Sequence, residues 1–182
     1  HHRIDSNRAW RGDGVRQDKK KAFEYFSQAA EAGDADAQYY LGQAYLDGIG
    51  VKADPEQAVA WFEKAAIRDS VEAMVRTAQI YQEGTLVPQN MQQAIHWYKK
   101  ASYRNDPTAL TGLGELYLNG EHVEQDYREA RKLFLKASRY KDPTAQYYVG
   151  LMYLEGKGTD ANPEKAREWF GKDAMTPPQA AT

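Results

Sequence analysis

The chain of 182 residues contains no cysteine, which excludes disulfide frameworks, thiolate zinc sites and cysteine nucleophiles. It has no apolar run of the roughly 18 residues that a membrane-spanning helix needs, and no secretory signal peptide is recognisable. The cellular compartment stays open, because a lack of cysteine suits oxidising and reducing surroundings alike.

An excess of charge of one sign is also absent. Lys and Arg number 24 against 26 Asp and Glu, so the net charge is −2 and the pI is near 6.1. Such a chain offers no basic field for a phosphate backbone, and we do not expect nucleic acid as a partner. The only run of three consecutive basic residues, at 19–21, is interpreted as the solvated start of a helix.

Recognisable catalytic and metal-ligating motifs are missing too. His96 and His122 have no second histidine or carboxylate at ligand spacing, and no G-x-S-x-G nucleophile motif occurs. The Gly-x-Gly pairs at 12–14, 48–50 and 156–158 follow predicted helices, whereas a dinucleotide loop follows a strand. We therefore expect a non-enzymatic protein with no catalytic residues, no metal site and no cofactor.

The sequence does contain an internal repeat with a period of 36 residues. The repeated positions include Ala22, Ala58, Ala94, Ala130 and Ala166, and Gly12, Gly48, Gly84, Gly120 and Gly156. A fixed period between about 20 and 50 residues is typical of solenoid proteins, in which each repeat buries its apolar face against its neighbours. The repeat predicts one solenoid domain.

Each period contains two predicted helices with marked ends. Short polar residues that can cap a helix N-terminus precede the first helices at Asp34, Ser70, Asp106 and Asp142, and the second helices at Asp18, Asp54, Asn90, Asp126 and Asn162. A glycine, which tolerates the positive φ of a helix stop, follows each first helix at Gly48, Gly84, Gly120 and Gly156. These signals predict nine capped helices, with the first helices at about 35–47, 71–83, 107–119 and 143–155.

Loops of roughly six residues join the two helices of a period, so the helices must form antiparallel hairpins. The predicted fold class is all-α: a right-handed α/α superhelical solenoid of 36-residue hairpins, about four repeats after an N-terminal half repeat, without β-sheet. The aromatic pairs of the second helices, such as Trp61 and Phe62, are predicted to face the next repeat. The domain is placed at 9–174, after a tag-like, flexible start at 1–8 and before a disordered tail at 175–182.

The repeat resembles the Sel1-like repeat (SLR) family, a branch of the tetratricopeptide-like α/α solenoids. The resemblance extends over about residues 9–174 and is carried in the second period by Ala37, Leu41, Gly42, Tyr45, Gly48, Gly50, Asp54, Ala58, Trp61, Phe62, Ala65 and Ala66. The chain departs from the pattern at Ala78, Leu86, His122 and Leu133, which leaves the shape of individual loops open.

The resemblance implies an adaptor that holds other proteins, and it supplies no catalytic residues. Many bacterial members of the family are exported or periplasmic, so the resemblance favours a periplasmic or secreted protein, although the cytoplasm is also compatible. If the hairpins curve as their tetratricopeptide relatives do, the first helices line a concave groove. Three positions around each repeated leucine position then project into the groove. The predicted partner-binding residues there are Tyr39, Tyr40, Gln43, Arg76, Gln79, Glu115, Tyr147, Tyr148 and Leu151, beside Val75, Thr111 and Gly112.

Two functions fit these residues. The leading hypothesis is an adaptor, scaffold or inhibitor of the immunity type that grips a protein or an extended peptide in the groove, since Tyr and Arg are enriched in binding hot spots. The alternative is a regulator that senses cell-wall glycan or another small polar ligand, because aromatic rings also stack on sugars. A structural interpretation competes with both, in which half of the tyrosines only cover hairpin junctions.

The last aromatic pair, Trp169 and Phe170, has no following repeat to cover it. We therefore expect the tail from Met175 to fold back over these rings, or a second chain to dock there in a terminal-face or end-to-end homodimer.

Overall fold

The computed structural model describes residues 16–171, with side chains from Asp18, and the regular secondary structure of this part of the chain is entirely α-helical. It contains nine α-helices and no strand, as predicted. Their bounds are α1 Arg16–Glu31, α2 Ala35–Asp47, α3 Pro55–Ile67, α4 Val71–Glu83, α5 Met91–Tyr103, α6 Pro107–Asn119, α7 Tyr127–Ser138, α8 Pro143–Glu155 and α9 Pro163–Phe170. The segments predicted at 1–8 and 175–182, and the tail from Met175, lie outside the described residues.

The chain divides into two compact units, His1–Trp97 and Tyr98–Thr182. In the first unit α1 packs on α2, α2 on α3 and α3 on α4. In the second unit α6 packs on α7, α7 on α8 and α8 on α9. Within residues 16–83 and within residues 107–170, each helix therefore contacts the helices next to it in sequence, and the predicted hairpin architecture is confirmed.

The helix N-termini are capped by the predicted residues at eight of nine positions. In each, a side-chain oxygen accepts a hydrogen bond from the backbone N–H three residues later, over 3.0 to 3.3 Å. The caps are Asp34, Asp54, Ser70, Asn90, Asp106, Asp126, Asp142 and Asn162. The prediction for Asp18 is wrong, because α1 already includes Arg16 and Asp18 lies within its first turn. There its negative charge faces the positive end of the helix dipole.

The first helices end at the predicted glycines. Gly48, Gly84, Gly120 and Gly156 have φ between 68° and 70°, and each donates its N–H to the carbonyl four residues earlier. In the loop after Gly120, His122 also adopts a left-handed conformation with φ 61°. His122 thus takes the backbone shape that glycine provides at Gly50 and Gly158, whose φ values are 73° and 74°.

A glycine and a phenylalanine approach each other closely within three hairpins. A Cβ atom on Gly42 would lie 2.7 Å from the Phe62 ring, and one on Gly114 would lie 2.7 Å from the Phe134 ring. The corresponding distance from Gly150 to the Phe170 ring is 2.5 Å. Phe62 and Phe134 are fully buried, so each ring fills the space that the missing side chain leaves.

The two residues of an aromatic pair point in different directions. Phe62 lies against Gly42 in its own hairpin, whereas Trp61 packs on the cluster that includes Phe26 and Leu41 of α1 and α2. The prediction that both face the next repeat is therefore wrong for Trp61. Adjacent residues of a helix are about 100° apart around its axis and cannot share one narrow face.

Candidate functional site

The predicted binding residues fall into two groups, one in each compact unit. They flank four side chains that are almost completely buried, namely Leu41, Thr77, Leu113 and Val149. We call Tyr39, Tyr40, Gln43, Arg76 and Gln79 the first-unit surface, and Glu115, Tyr147, Tyr148 and Leu151 the second-unit surface. All of them except Tyr147 are partly exposed.

The first-unit surface is built around two tyrosine rings in contact. The centroids of Tyr39 and Tyr40 are 5.8 Å apart, with 63° between the ring planes. Tyr40 packs on Phe26 of α1 at 5.2 Å, and Tyr39 packs on Phe62 of α3 at 5.5 Å. Both rings are half-buried, so they cover the junctions on either side of α2 while still presenting area to solvent.

The second-unit surface repeats this arrangement. Tyr148 packs on Phe134 at 4.6 Å, and Tyr147 packs on Phe170 at 5.7 Å. Tyr147 is only 9% exposed, so its ring serves to pack the helix junction and offers little area to a partner. Tyr148 remains partly exposed. Phe170, which also lies against Gly150, is thereby partly covered by its own hairpin.

A cation stands beside the tyrosines of the first unit. Burial raises the pKa of the Tyr39 hydroxyl, and the charge of Arg76 acts in the opposite direction by favouring the phenolate. Gln43 is held in place along its own helix, because its side-chain amide donates to Asp47 Oδ2 at 2.9 Å. The first unit therefore presents aromatic area, a positive charge and amide groups together.

The second unit pairs its tyrosine with a carboxylate. The Tyr148 hydroxyl donates to Glu115 Oε2 at 2.8 Å. Burial raises the pKa of Glu115, although the hydrogen bond from Tyr148 opposes that shift. Burial, followed by the hydrogen bond to Glu115, also raises the pKa of Tyr148 well above its ordinary value. Glu115 is thus engaged within the protein as well as partly open to a partner.

The remaining predicted positions of α6 serve the structure. The Thr111 hydroxyl donates to Asp142 Oδ2 at 2.6 Å, and Asp142 is also the N-cap of α8. Gly112 leaves room for Tyr98, whose Cε1 would lie 3.1 Å from an added Cβ. These side chains fix neighbouring helices and contribute little side-chain surface of their own.

Neither a metal-ligating cluster nor a membrane-spanning helix is found in residues 16–171. Within this range no group of three or more His, Asp or Glu side chains is placed to hold a metal ion. None of the described helices combines the length and the apolar character needed to cross a membrane.

The repeats match one family model throughout. The Sel1 repeat model matches residues 9–34, 35–70, 71–106, 107–139 and 143–172. The chain belongs to the Sel1 repeat family. Sel1 repeats generally serve as protein-interaction modules and are typically non-catalytic scaffolds.

Solved structures of other Sel1 repeat proteins share the fold. A protective antigen of uropathogenic Escherichia coli with an SLR fold is 37% identical, with a TM-score of 0.80, and the match covers 84% of this chain and 32% of the antigen. A Sel1 repeat protein from Oxalobacter formigenes is 32% identical, with a TM-score of 0.76 and coverage of 86% and 45%. This chain therefore spans less than half the length of either protein.

An immunity protein from Pseudomonas aeruginosa is more distantly similar. It is 25% identical, with a TM-score of 0.51, and the match covers 82% of this chain and 55% of the immunity protein. Among curated proteins, none is significantly similar to this chain.

Sequence reasoning missed one group of exposed side chains in the second unit. Helix α7 carries cations at helical spacing along one face, and these side chains line a single open depression. The signal was present in the sequence as basic residues three and four positions apart, but no two of them except Arg131 and Lys132 are adjacent.

Proposed function

We propose that this Sel1 repeat chain is a non-enzymatic binding module, an adaptor, scaffold or inhibitor, whose first-helix surfaces hold another protein or a peptide. The pair Tyr39 and Tyr40 carries this proposal. Both rings are partly exposed, and both are fixed by phenylalanines on either side. A ring that is immobile before binding loses little conformational entropy when a partner covers it.

The neighbours of the pair suit a protein partner. Arg76 and Gln79 are partly exposed on α4, in the same unit as the tyrosines. Tyrosine and arginine are enriched in protein interfaces, where the ring supplies apolar area and the guanidinium pairs with carboxylates or carbonyl groups. The similarity to an immunity protein and to a protective antigen is in keeping with such a role.

The test is affinity capture from an extract of the native organism with the full chain as bait, followed by identification of bound proteins by mass. Binding is then compared with a triple variant, Gln43→Ala, Arg76→Ala and Gln79→Ala, which leaves the tyrosine packing intact. We expect a loss of about thirtyfold or more in affinity, because a hot-spot arginine alone is worth about 2 kcal/mol.

A matched control removes one cation and two amides from second helices of the same unit. Lys21→Ala, Gln57→Ala and Gln92→Ala are exposed positions in α1, α3 and α5. This control should bind as the unaltered chain does. If the control lost the partner while the first-helix variant kept it, the binding site would lie on the second helices and the proposal would be wrong.

The role of the rings is tested by Tyr40→Phe, which keeps the contact with Phe26 and removes only the hydroxyl, and by Tyr40→Ala, which removes both. We expect Tyr40→Ala to weaken binding about thirtyfold at unchanged helicity, as expected for a hot-spot ring worth about 2 kcal/mol. Equal affinity of Tyr40→Ala and the unaltered chain for a captured partner would assign the ring to packing alone.

A further inference from the structure

Helix α7 presents a basic stripe on one face of the second unit. Arg128, Arg131, Lys132, Leu135, Lys136 and Arg139 recur three and four positions apart and line one open depression of about 450 Å³. Residues at this spacing lie on the same side of a helix. The stripe therefore places five cations around one apolar side chain, Leu135.

The fold does not require these charges. The same positions of the repeat in α3 are occupied by Glu56, Val59, Ala60, Glu63, Lys64 and Ile67. Helix α3 thus has one cation and two carboxylates where α7 has five cations, although both helices pack in hairpins of the same type. The stripe is thus a feature of α7 and not of α3, so packing in this type of hairpin does not by itself require five cations.

Few groups of the protein neutralise the stripe. Within the described part of the chain, Arg128, Lys132, Lys136 and Arg139 form no ion pair. Arg131 donates through Nη2 to the Tyr153 hydroxyl at 2.8 Å, and its buried Nε has no acceptor among the described residues. Glu129 is the only acidic residue at positions 128–141 against six basic ones, a net charge of +5. Since the chain carries −2 in total, the rest of it carries −7.

An exposed aromatic ring borders the stripe. Lys132 and Lys136 also line a second open depression, together with Tyr103 and Glu129. Tyr103 is 81% exposed, which is unusual for a tyrosine in a folded protein. A partner on this face would therefore find apolar contacts as well as positive charge.

We propose that the basic stripe of α7 binds a short acidic segment of another protein, with Leu135 and Tyr103 as apolar contacts. The stripe extends over about 16 Å, because eleven residue steps of 1.5 Å separate its ends. At physiological salt, charges interact over about 8 Å, so a segment of two or three helical turns experiences mainly the stripe. A nucleic-acid duplex or an anionic membrane would extend beyond it onto the acidic remainder of the chain and be repelled there.

The experiment selects peptides from a random twelve-residue library on the immobilised full chain. We expect the enriched peptides to contain an excess of Asp and Glu and at least one apolar residue. Their affinity is measured by fluorescence anisotropy, alongside a twelve-nucleotide single-stranded DNA and vesicles that contain phosphatidylserine. The decisive variant combines Lys132→Gln, Lys136→Gln and Arg139→Gln. It removes three exposed cations of the stripe.

We expect this variant to bind the acidic peptides about tenfold or more weakly, and added salt to weaken binding to the unaltered chain. The matched control, Lys20→Gln, Lys21→Gln and Lys52→Gln, changes the net charge equally in the other unit and should bind normally. The Gln43, Arg76 and Gln79 variant should bind these peptides normally too. Enrichment of neutral or basic peptides, an equal loss in the control, or tighter binding of the DNA or the vesicles would each overturn the proposal.

Discussion

The ring of Phe134 lies almost parallel to the ring of Tyr148, with 4.6 Å between their centroids and 13° between their planes. The same Phe134 ring also approaches Gly114 so closely that a Cβ atom there would lie 2.7 Å away. One phenylalanine thus connects the first helix of its own hairpin with the first helix of the next. Its position depends on a glycine on one side and a tyrosine on the other.

Replacing Gly114 by alanine should therefore destabilise the second unit. Alanine favours the helix by about 1 kcal/mol, but inserting a methyl group into a full core costs about 1–3 kcal/mol. Phe134 is fully buried, so we expect a cost at the upper end of that range, about 2–3 kcal/mol, and a net loss of about 1–2 kcal/mol in urea unfolding. The double variant Gly114→Ala and Phe134→Leu should lose less than the sum of its single changes. Strict additivity would show that the ring and the methyl group do not collide.

Asp142 should contribute more to the free energy of unfolding than an N-cap residue that makes only its cap hydrogen bond. Asp142→Ala removes the N-cap of α8 and the acceptor of the Thr111 hydroxyl, whereas Asp34→Ala removes a single cap bond at α2. A cap contributes about 1 kcal/mol and a buried hydrogen bond about another 1 kcal/mol. We expect losses of about 2 and about 1 kcal/mol respectively in urea unfolding. Equal losses would mean that the Thr111 contact contributes nothing.

Glu115 should make the protein less stable as the pH rises through the weakly acidic range. Burial raises its pKa above the ordinary 4.5, so the folded state binds the proton more tightly than the unfolded state does. Stability is then highest below the unfolded pKa and falls as the pH rises through the folded pKa. Glu115→Gln keeps an oxygen for the Tyr148 hydroxyl and should flatten this part of the pH profile of unfolding. An unchanged profile would contradict the assignment.

Tyr81 should ionise only in strongly alkaline solution. Burial and its hydrogen bond to Glu63 Oε2, over 3.0 Å, raise the pKa of the Tyr81 hydroxyl from 10.0 to about 12. Stability from this group is fully present below pH 10 and is lost as the pH rises towards 12. NMR of ¹³C-labelled tyrosine should detect the shift, and Glu63→Gln should move the Tyr81 pKa back towards 10. Insensitivity to Glu63→Gln would leave burial as the sole cause.

The caps and helix stops could be predicted because they depend on residues within four positions of one another. Asp54 and Gly48 are examples, since the side chain of Asp54 and the φ of Gly48 have purely local roles. The prediction that Asp18 caps α1 failed because the helix already includes Arg16, and no other capping residue had been recognised before Asp18. The prediction for Trp61 failed because the sequence of a helix does not reveal which neighbouring helices each of its sides will contact.

The candidate site was less accessible to sequence reasoning than the fold. The paired tyrosines were visible as residues that the repeat does not explain, but their burial depends on distant partners. Tyr147 contacts Phe170, and Tyr148 contacts Glu115 across 33 positions. The α7 cations were visible as well, yet only the depression that they line distinguishes a concentrated stripe from ordinary solvated charges.

The contact between a first-helix glycine and a second-helix phenylalanine always joins residues 20 positions apart, as in Gly42 and Phe62 or Gly114 and Phe134. The contact between that phenylalanine and the following tyrosine joins residues 14 positions apart, as in Phe26 and Tyr40 or Phe134 and Tyr148. Duplicating or deleting 36 codons within a unit restores the same pairs at the same distances along the gene. The length of such a protein can therefore change by copying or deleting whole periods. Its binding specificity can change separately, through single substitutions at positions outside these packing pairs.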